Sequence, residues 1–301
     1  MKVFLTGATG FVGHEMLKQL LAAGHIVRCL VRPGSEGRLP IEKNIEVRLG
    51  DATDAESLDA SLEGCDAAIH LVGIIREFPG KGVTFKKLHV EATRNLVAAA
   101  ENQGVRRYLQ MSANGVRPDA ESEYHRTKWQ GEEAVRAAQL DWTIFRPSLI
   151  FGPADEFVNM LADLVRKAPV VPVIGDGRYR MAPVAVEDVA ASFVAALTKE
   201  ECLGQTYHLC GPGDFSYDEI LDLIGETLGK TPVRKLHHPV CLMKPVVKVL
   251  QSIPQFPITS AQLTMLLEGN LCAEEAMQTW RETFGIEPRD FAEGIRKYLV
   301  K

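Results

Sequence analysis

Six apolar runs punctuate the first half of the chain: KVFLTG, HIVRCLVR, IEVRLG, AAIHLVG, RYLQMS and WTIFRPS. Each is short and rich in Val, Ile and Leu, and so reads as a strand buried on both faces. Stretches of helical period separate them. Val12 to Ala23 places Val12, Met16, Leu17, Leu20 and Leu21 on one side and stops at Gly24. Glu56 to Leu62, Thr84 to Asn102 and Glu123 to Gln139 read as further helices. Strands that alternate with helices are βαβ units. Their right-handed crossovers leave the doubly wound parallel sheet, a Rossmann-type α/β fold, as the first expectation.

After Pro147 the pattern changes. FGPADEFVNMLADLVRK leads from a loop into a helix, and VAVEDVAASFVAAL is a further helix packed on the sheet. TYHLCG is a short strand. In SYDEILDLIGETLGK, Ser216 and Glu219 have capping-box spacing and Gly229 marks the stop. The remainder reads as short helices, with no repeat or low-complexity linker. The expected organisation is a dinucleotide-binding domain over 1–204, with part of a substrate cleft from 151–182. A small substrate or lid lobe would follow over 205–301.

The composition is ordinary for a globular chain of 301 residues, and the net charge of −5 does not steer it to nucleic acid. Six cysteines without C-x-x-C spacing read as reduced, buried thiols in a cytoplasmic protein, and no metal site is expected. MKVFLTGATG enters a strand and turn directly, so no signal peptide is expected. HPVCLMKPVVKVLQSIP is broken by Lys244, Pro245 and Lys248 and is too short to span a bilayer. The segment 239–254 is core by default. It also suits a cleft lid, or a surface offering Val, Leu and Met to a partner or membrane.

LTGATGFVGHE follows the first strand and opens the first helix. Gly7 allows a tight turn, Gly10 lets backbone approach a pyrophosphate, and Gly13 lets helix and strand pack closely. The helix start adds free N–H groups and partial positive charge, so Gly7, Thr9, Gly10, Phe11 and Val12 are the expected phosphate cradle. An acid about 20 residues past the glycines would accept from the ribose 2′-OH of NAD. Here Arg32 ends the second strand, a donor fork for a 2′-phosphate that can also stack on adenine. NADP(H) is therefore favoured and NAD(H) remains open, because Arg32 also fits a solvated strand end. Asp51 and Ala52 in LGDATD would meet the adenine, although Asp51 could equally cap the helix starting near Asp54. Leu71, Val72 and Gly73 end the fourth strand, where small Gly73 would let the nucleotide lie against the backbone.

TGATGFVG, GDATD, HLVG, HVEATRNLVAAA, Tyr124-x-x-x-Lys128, FRPSLIFGP and PVAVEDVA occur in that order. The chain thereby resembles the short-chain dehydrogenase/reductases, in their extended and atypical branches. HVEATRNLV, SANGV and YHRTKWQGE make it most similar to the Rossmann-type accessory subunit of respiratory complex I and its bacterial relatives. The resemblance implies an NAD(P)-dependent oxidoreductase, or an epimerase- or dehydratase-like enzyme, acting on a small hydroxyl or carbonyl compound. Tyr124 would be the general acid/base. Lys128 would hold the nicotinamide ribose and lower the Tyr pKa, and Ser112 would bind the reacting oxygen. Pro147 and Ser148 would border the nicotinamide. The complex I likeness implies a second reading, a non-catalytic structural, assembly or redox-sensing protein in peripheral association with a membrane complex.

The chain departs from the nucleotide-sugar enzymes of that family in two places. His89 stands where they carry Asn, and Ser112 lies only twelve residues before Tyr124. His89 could reach Ser112 or a pocket water, but a histidine on such a helix is more often a packing residue. Neither substrate identity nor oligomeric state is legible.

Overall fold

The computed structural model describes residues 1–251, 253, 256 and 258–300. Ser252 and Pro254 of the apolar segment, and Lys301, lie outside the described residues. The chain divides into two compact units, both discontinuous in sequence: Met1–Pro147, Glu187–Leu209 and Glu274–Ile286, then Ser148–Val186, Cys210–Ala273 and Glu287–Lys301.

The first unit opens with β1 (Lys2–Thr6), α1 (Phe11–Ala22), β2 (Ile26–Val31), β3 (Ile45–Leu49) and β4 (Ala67–His70). A helix follows, π-helical over Lys86–Glu91 and regular over α2 (Ala92–Asn102), then β5 (Arg107–Met111), α3 (Glu123–Arg136) and β6 (Asp141–Pro147). The second unit contributes β7 (Ile150–Phe151), α4 (Phe157–Lys167), β8 (Val171–Ile174), β9 (Arg180–Met181) and β10 (Val184–Ala185). The chain then returns through α5 (Val186–Ala196) and β11 (Gln205–Leu209) to the first unit's sheet. Next come β12 (Phe215–Ser216), α6 (Tyr217–Thr227), β13 (Lys235–His238), α7 (Val240–Leu250), α8 (Ser260–Glu268), α9 (Glu274–Phe284) and α10 (Phe291–Leu299).

All seven strands of the main sheet run parallel, in the order β11-β6-β5-β4-β1-β2-β3. The doubly wound expectation is therefore met. All six strands read from the first half of the sequence are present. β4 and β5 have no residue that is not buried, as their apolar runs predict, whereas β3, at the sheet edge, has no buried residue, against the expectation for IEVRLG: Val47 is 48% and Leu49 52% exposed. Helices cover the sheet: Leu96, Val97, Ala99 and Ala100 of α2 pack with Phe4, Ala68, Tyr108 and Ile144. Strand order reverses between β1 and β4, whose register pairs Thr6 with His70. Open α/β sheets bind ligands at the carboxyl ends of the strands flanking such a reversal. At the amino end of β5, the buried Arg107 guanidinium donates to the Ala196 and Asp141 carbonyls, Thr143 Oγ1 and Cys202 Sγ.

The second unit has its own core of Phe151, Leu161, Val165, Ile220, Leu221, Ile224, Phe291 and Ile295. Ser216 and Glu219 form the expected capping box at α6.

The expected helix over 56–62 is only a single 3₁₀ turn, Glu56–Leu58. Asp54 takes the Glu56 N–H and the Ser57 hydroxyl, the Leu62 N–H goes to Gln103, and Ala60 sits at φ 54°, so no helical ladder can run through. Two cysteines read as reduced thiols, Cys210 and Cys272, form a disulfide with Cα atoms 6.1 Å apart. Cys29, Cys65 and Cys202 are free and buried, while Cys241 is free but exposed. Among the described residues no helix is long and apolar enough to cross a membrane, and no group of three His, Cys, Asp or Glu could hold a metal.

Candidate functional site

The glycine turn forms at the end of β1 as the spacing predicts. The Gly10 N–H donates to the Gly7 carbonyl at 3.1 Å, and α1 begins at Phe11. Gly7 has φ +79°, and a Cβ there would stand 3.2 Å from Leu71 backbone. A Cβ at Gly13 would lie 2.1 Å from the Gly7 carbonyl, so only glycine lets α1 close onto the turn. No side chain caps α1 and no acid occupies its first turn. Its leading N–H groups and dipole are therefore left open to an anion.

Thr6 and His70, at the ends of the two strands flanking the reversal, are joined side chain to side chain at 2.7 Å. Leu71, Val72 and Gly73 then run past the glycine turn, with the Leu71 N–H on the Thr6 carbonyl. Arg32 follows β2 and is exposed, and among the described residues its guanidinium has no polar partner. Asp51 Oδ1 accepts from the Thr53 N–H and hydroxyl, each at 2.8 Å, which pins the loop after β3. The Ala52 carbonyl accepts from Asn95 at 3.1 Å. Asp54, not Asp51, accepts the Glu56 N–H at the start of the 3₁₀ turn.

The second cluster is built by β4, β5 and α3. Tyr124 and Lys128 lie one turn apart on α3, and both are buried. The Lys128 ammonium donates to the Met111 carbonyl at 3.1 Å, one residue before Ser112. It also lies against Gly73, where a Cβ would come within 3.0 Å of it. Ser112 continues the ladder by donating its N–H to the Phe145 carbonyl at 2.7 Å. Among the described residues its buried hydroxyl has no partner. The Pro147 carbonyl accepts from Asn114, while the Ser148 hydroxyl donates to the Asn270 carbonyl.

His89 holds this cluster in place. It sits in the π-helical stretch, with Nδ1 2.9 Å from Thr127 Oγ1 and Nε2 3.2 Å from the Ile74 nitrogen. Thr127 Oγ1 is also within reach of the Glu123 and Tyr124 carbonyls, and Nε2 lies 3.1 Å from the Ile74 carbonyl as well as beside its N–H, so both ring nitrogens are engaged. The imidazole is neutral, since burial and the neighbouring Lys128 charge hold its pKa well below the usual value. Its ring stands perpendicular to Tyr124 at 5.2 Å and stacks on Phe85 at 5.3 Å. Gly131 admits this packing, as a Cβ there would lie 2.5 Å from the His89 carbonyl. Thr127, Gly131 and Phe85 were not singled out from the sequence. The TK and GE of YHRTKWQGE, on the same helical face as Tyr124, were the available signal.

Burial also pushes the Tyr124 phenol up to about 12, opposite to the lowering that the resemblance assigns to Lys128. Burial pulls the Lys128 ammonium down to about 8, an effect partly offset by Glu132 one turn further along α3.

The uncapped helix start, the glycines that no Cβ could replace and the orphaned hydroxyl suit a dinucleotide. The family model described as NAD(P)H-binding matches residues 7–200. The chain belongs to this NAD(P)H-binding family. The NADH dehydrogenase [ubiquinone] 1 alpha subcomplex subunit 9 of Arabidopsis thaliana mitochondria is 31% identical over 283 residues, 90% of this chain and 69% of that protein. A ceramide reductase of Caulobacter vibrioides is 34% identical over 193 residues, 64% of this chain and 60% of that protein. The fold is shared with the UDP-glucose 4-epimerase of Thermus thermophilus, solved with NAD, at TM-score 0.74 and 20% identity, covering 99% and 98% of the two chains. The likeness to the complex I subunit and to extended epimerase-like folds is thus borne out. The family binds a nicotinamide cofactor.

Proposed function

We propose that this chain reduces a small carbonyl compound at the expense of NADPH, in preference to NADH. The observation that carries this reading is the Lys128 ammonium on the face of α3 that bears Tyr124, in contact with the carbonyl preceding the unpartnered Ser112 hydroxyl. Ser112 donates to the substrate oxygen. Lys128 donates to ribose hydroxyls, and Arg32 reaches the 2′-phosphate. The bound cofactor supplies hydride. Tyr124, held near pKa 12 by burial, is a neutral phenol at pH 7 and carries the proton that a developing alkoxide takes up. In the reverse direction the same residue, as phenolate, would take the proton back. The name of the Caulobacter relative supports the reductive direction.

Tyr124→Phe tests the reading. NADPH consumption with an accepted carbonyl should fall roughly 10²- to 10⁴-fold, the usual contribution of a positioned acid, while NADPH affinity stays nearly constant. Turnover retained in the variant would refute it.

A second reading is favoured by the 31% relative, which spans 90% of this chain. The protein would hold the nucleotide as a structural ligand in peripheral association with a membrane complex. If the wild type turns over no member of a broad carbonyl panel, retains NADPH through purification and draws a partner from native lysate, this reading replaces the first.

A further inference from the structure

Residues 32–43 join β2 to β3 and open on Arg32, the residue proposed above to reach the 2′-phosphate. The segment is held loosely. Leu39 is its one buried side chain. Within it, the Ser35 N–H donates to the Arg32 carbonyl, that of Arg38 to Ser35 and that of Leu39 to Glu36. Among the described residues, a single side-chain hydrogen bond ties this segment to another element. It comes from His14, in the first turn of α1.

His14 Nε2 lies 3.0 Å from the Arg38 carbonyl, and Nδ1 lies 2.7 Å from the Gly10 carbonyl. A carbonyl oxygen only accepts, so each ring nitrogen bonds here as a donor. One ring thus spans from the glycine turn, where α1 is open to an anion, to the segment that follows Arg32. The neighbouring acid does not compete for it, since the Glu15 carboxylate accepts from Lys18 and Gln19. A histidine serving only its own helix would need no partner beyond Gly10. Nε2 instead reaches a carbonyl 24 residues away in sequence.

We infer that His14 is a positioning residue for cofactor choice. Its bond to the Arg38 carbonyl holds the segment after β2 against α1, and so presets Arg32 for the 2′-phosphate of a dinucleotide whose diphosphate rests on that helix. Without this bond the segment has more conformations to lose on binding, and ordering Arg32 then consumes part of the affinity. His14 touches no cofactor atom in this arrangement and acts through Arg32. The inference rests on the NADPH preference proposed above and supplies its mechanical basis, since a segment with one buried side chain cannot hold a guanidinium in place by packing.

His14→Phe keeps a ring and removes both donors, whereas His14→Gln keeps a donor of similar reach. His14 is exposed, so neither change disturbs the core, and unchanged amide exchange in β1 and β4 serves as the folding control. Affinities of the full chain for NADPH and NADH are read by fluorescence titration. Amide hydrogen exchange of residues 33–44 is followed without cofactor. His14→Phe should weaken NADPH about fivefold, the value of one hydrogen bond, while NADH stays within about twofold. The amides of Ser35, Arg38 and Leu39 should exchange about fivefold faster. His14→Gln should restore most of both effects. Equal losses for the two cofactors, exchange unchanged in His14→Phe, or a Gln variant as impaired as the Phe variant overturns the assignment. A wild type that binds NADPH and NADH equally removes the NADPH preference instead, and the exchange result alone then decides whether His14 holds the segment.

Discussion

Lys128 is the residue where structure and chemistry conflict most, and Lys128→Met measures the conflict. Burial lowers the ammonium from the free value of 10.5 to about 8, against a smaller opposing effect of Glu132. That separation converts, at about 1.4 kcal/mol per pH unit, to about 3 kcal/mol of destabilisation wherever the lysine is charged in both states. Methionine follows the same unbranched path without the charge. Losing the hydrogen bond to the Met111 carbonyl returns about 1 kcal/mol, leaving the variant more stable by about 2 kcal/mol at pH 7. Between about pH 8 and 10.5 the unfolded lysine keeps its proton while the folded one loses it, so the wild type gains stability and the gap closes. Urea unfolding of both proteins at pH 7, 9 and 10.5 reads this directly. A variant less stable than wild type at pH 7, or a gap that does not change with pH, refutes the reasoning. On the proposed reading, ribose hydroxyls would accept from the ammonium and favour its charged form, so wild-type affinity for NADPH should fall as pH rises through 8.

Arg32→Ala should weaken NADPH about 10- to 100-fold in a fluorescence titration and leave NADH within twofold, as expected for loss of a charge-assisted contact to a 2′-phosphate. Equal losses for both would remove Arg32 from cofactor choice. Cys272→Ser opens a loop of 62 residues, for which the chain-entropy model gives about 4 kcal/mol of lost stability. An unchanged denaturation midpoint would mean that the two sulfurs are not bonded in solution.

What was legible in the sequence was what local pattern alone specifies. Parallel strands buried on both faces write continuous apolar runs, so KVFLTG and AAIHLVG could be read without knowing their partners. The glycine turn was legible because a 2.1 Å clash at Gly13 leaves no other residue type. β13, with the sequence KLHH, was not. It has no apolar run, and what makes it a strand is pairing with Val171–Ile174, some 60 residues earlier. The 56–62 segment failed for the opposite reason, because Asp54 and Ser57 compete with the helical ladder at short range. The Cys210–Cys272 pairing depends on a juxtaposition that no spacing rule encodes. Within the site, Ser112, Tyr124 and Lys128 were legible as residue types. The locking of His89 between Thr127 and Ile74 was not, because it needs the loop after β4 to fold over α3.

The energetics bear on the choice between turnover and mere holding of the nucleotide. The glycine turn and the α1 start would suffice to bind a dinucleotide, at little cost to the fold. The cluster beside them is costly. A buried hydroxyl without a partner at Ser112 costs about 1–3 kcal/mol. The Lys128 ammonium costs about 3 kcal/mol more, by the conversion above. Lys128 lies one turn along α3 from a buried phenol against which a neutral histidine packs edge-on. A chain that only stored the nucleotide would be more stable with Ala at 112, Phe at 124 and an apolar residue at 128, all of which the same backbone accepts. Polar groups kept at such expense at a strand-order reversal are poised to act on a ligand atom, which is the pattern of strained functional sites. On these energetic grounds, more than on the names of the relatives, the reductase reading stands ahead of the storage reading.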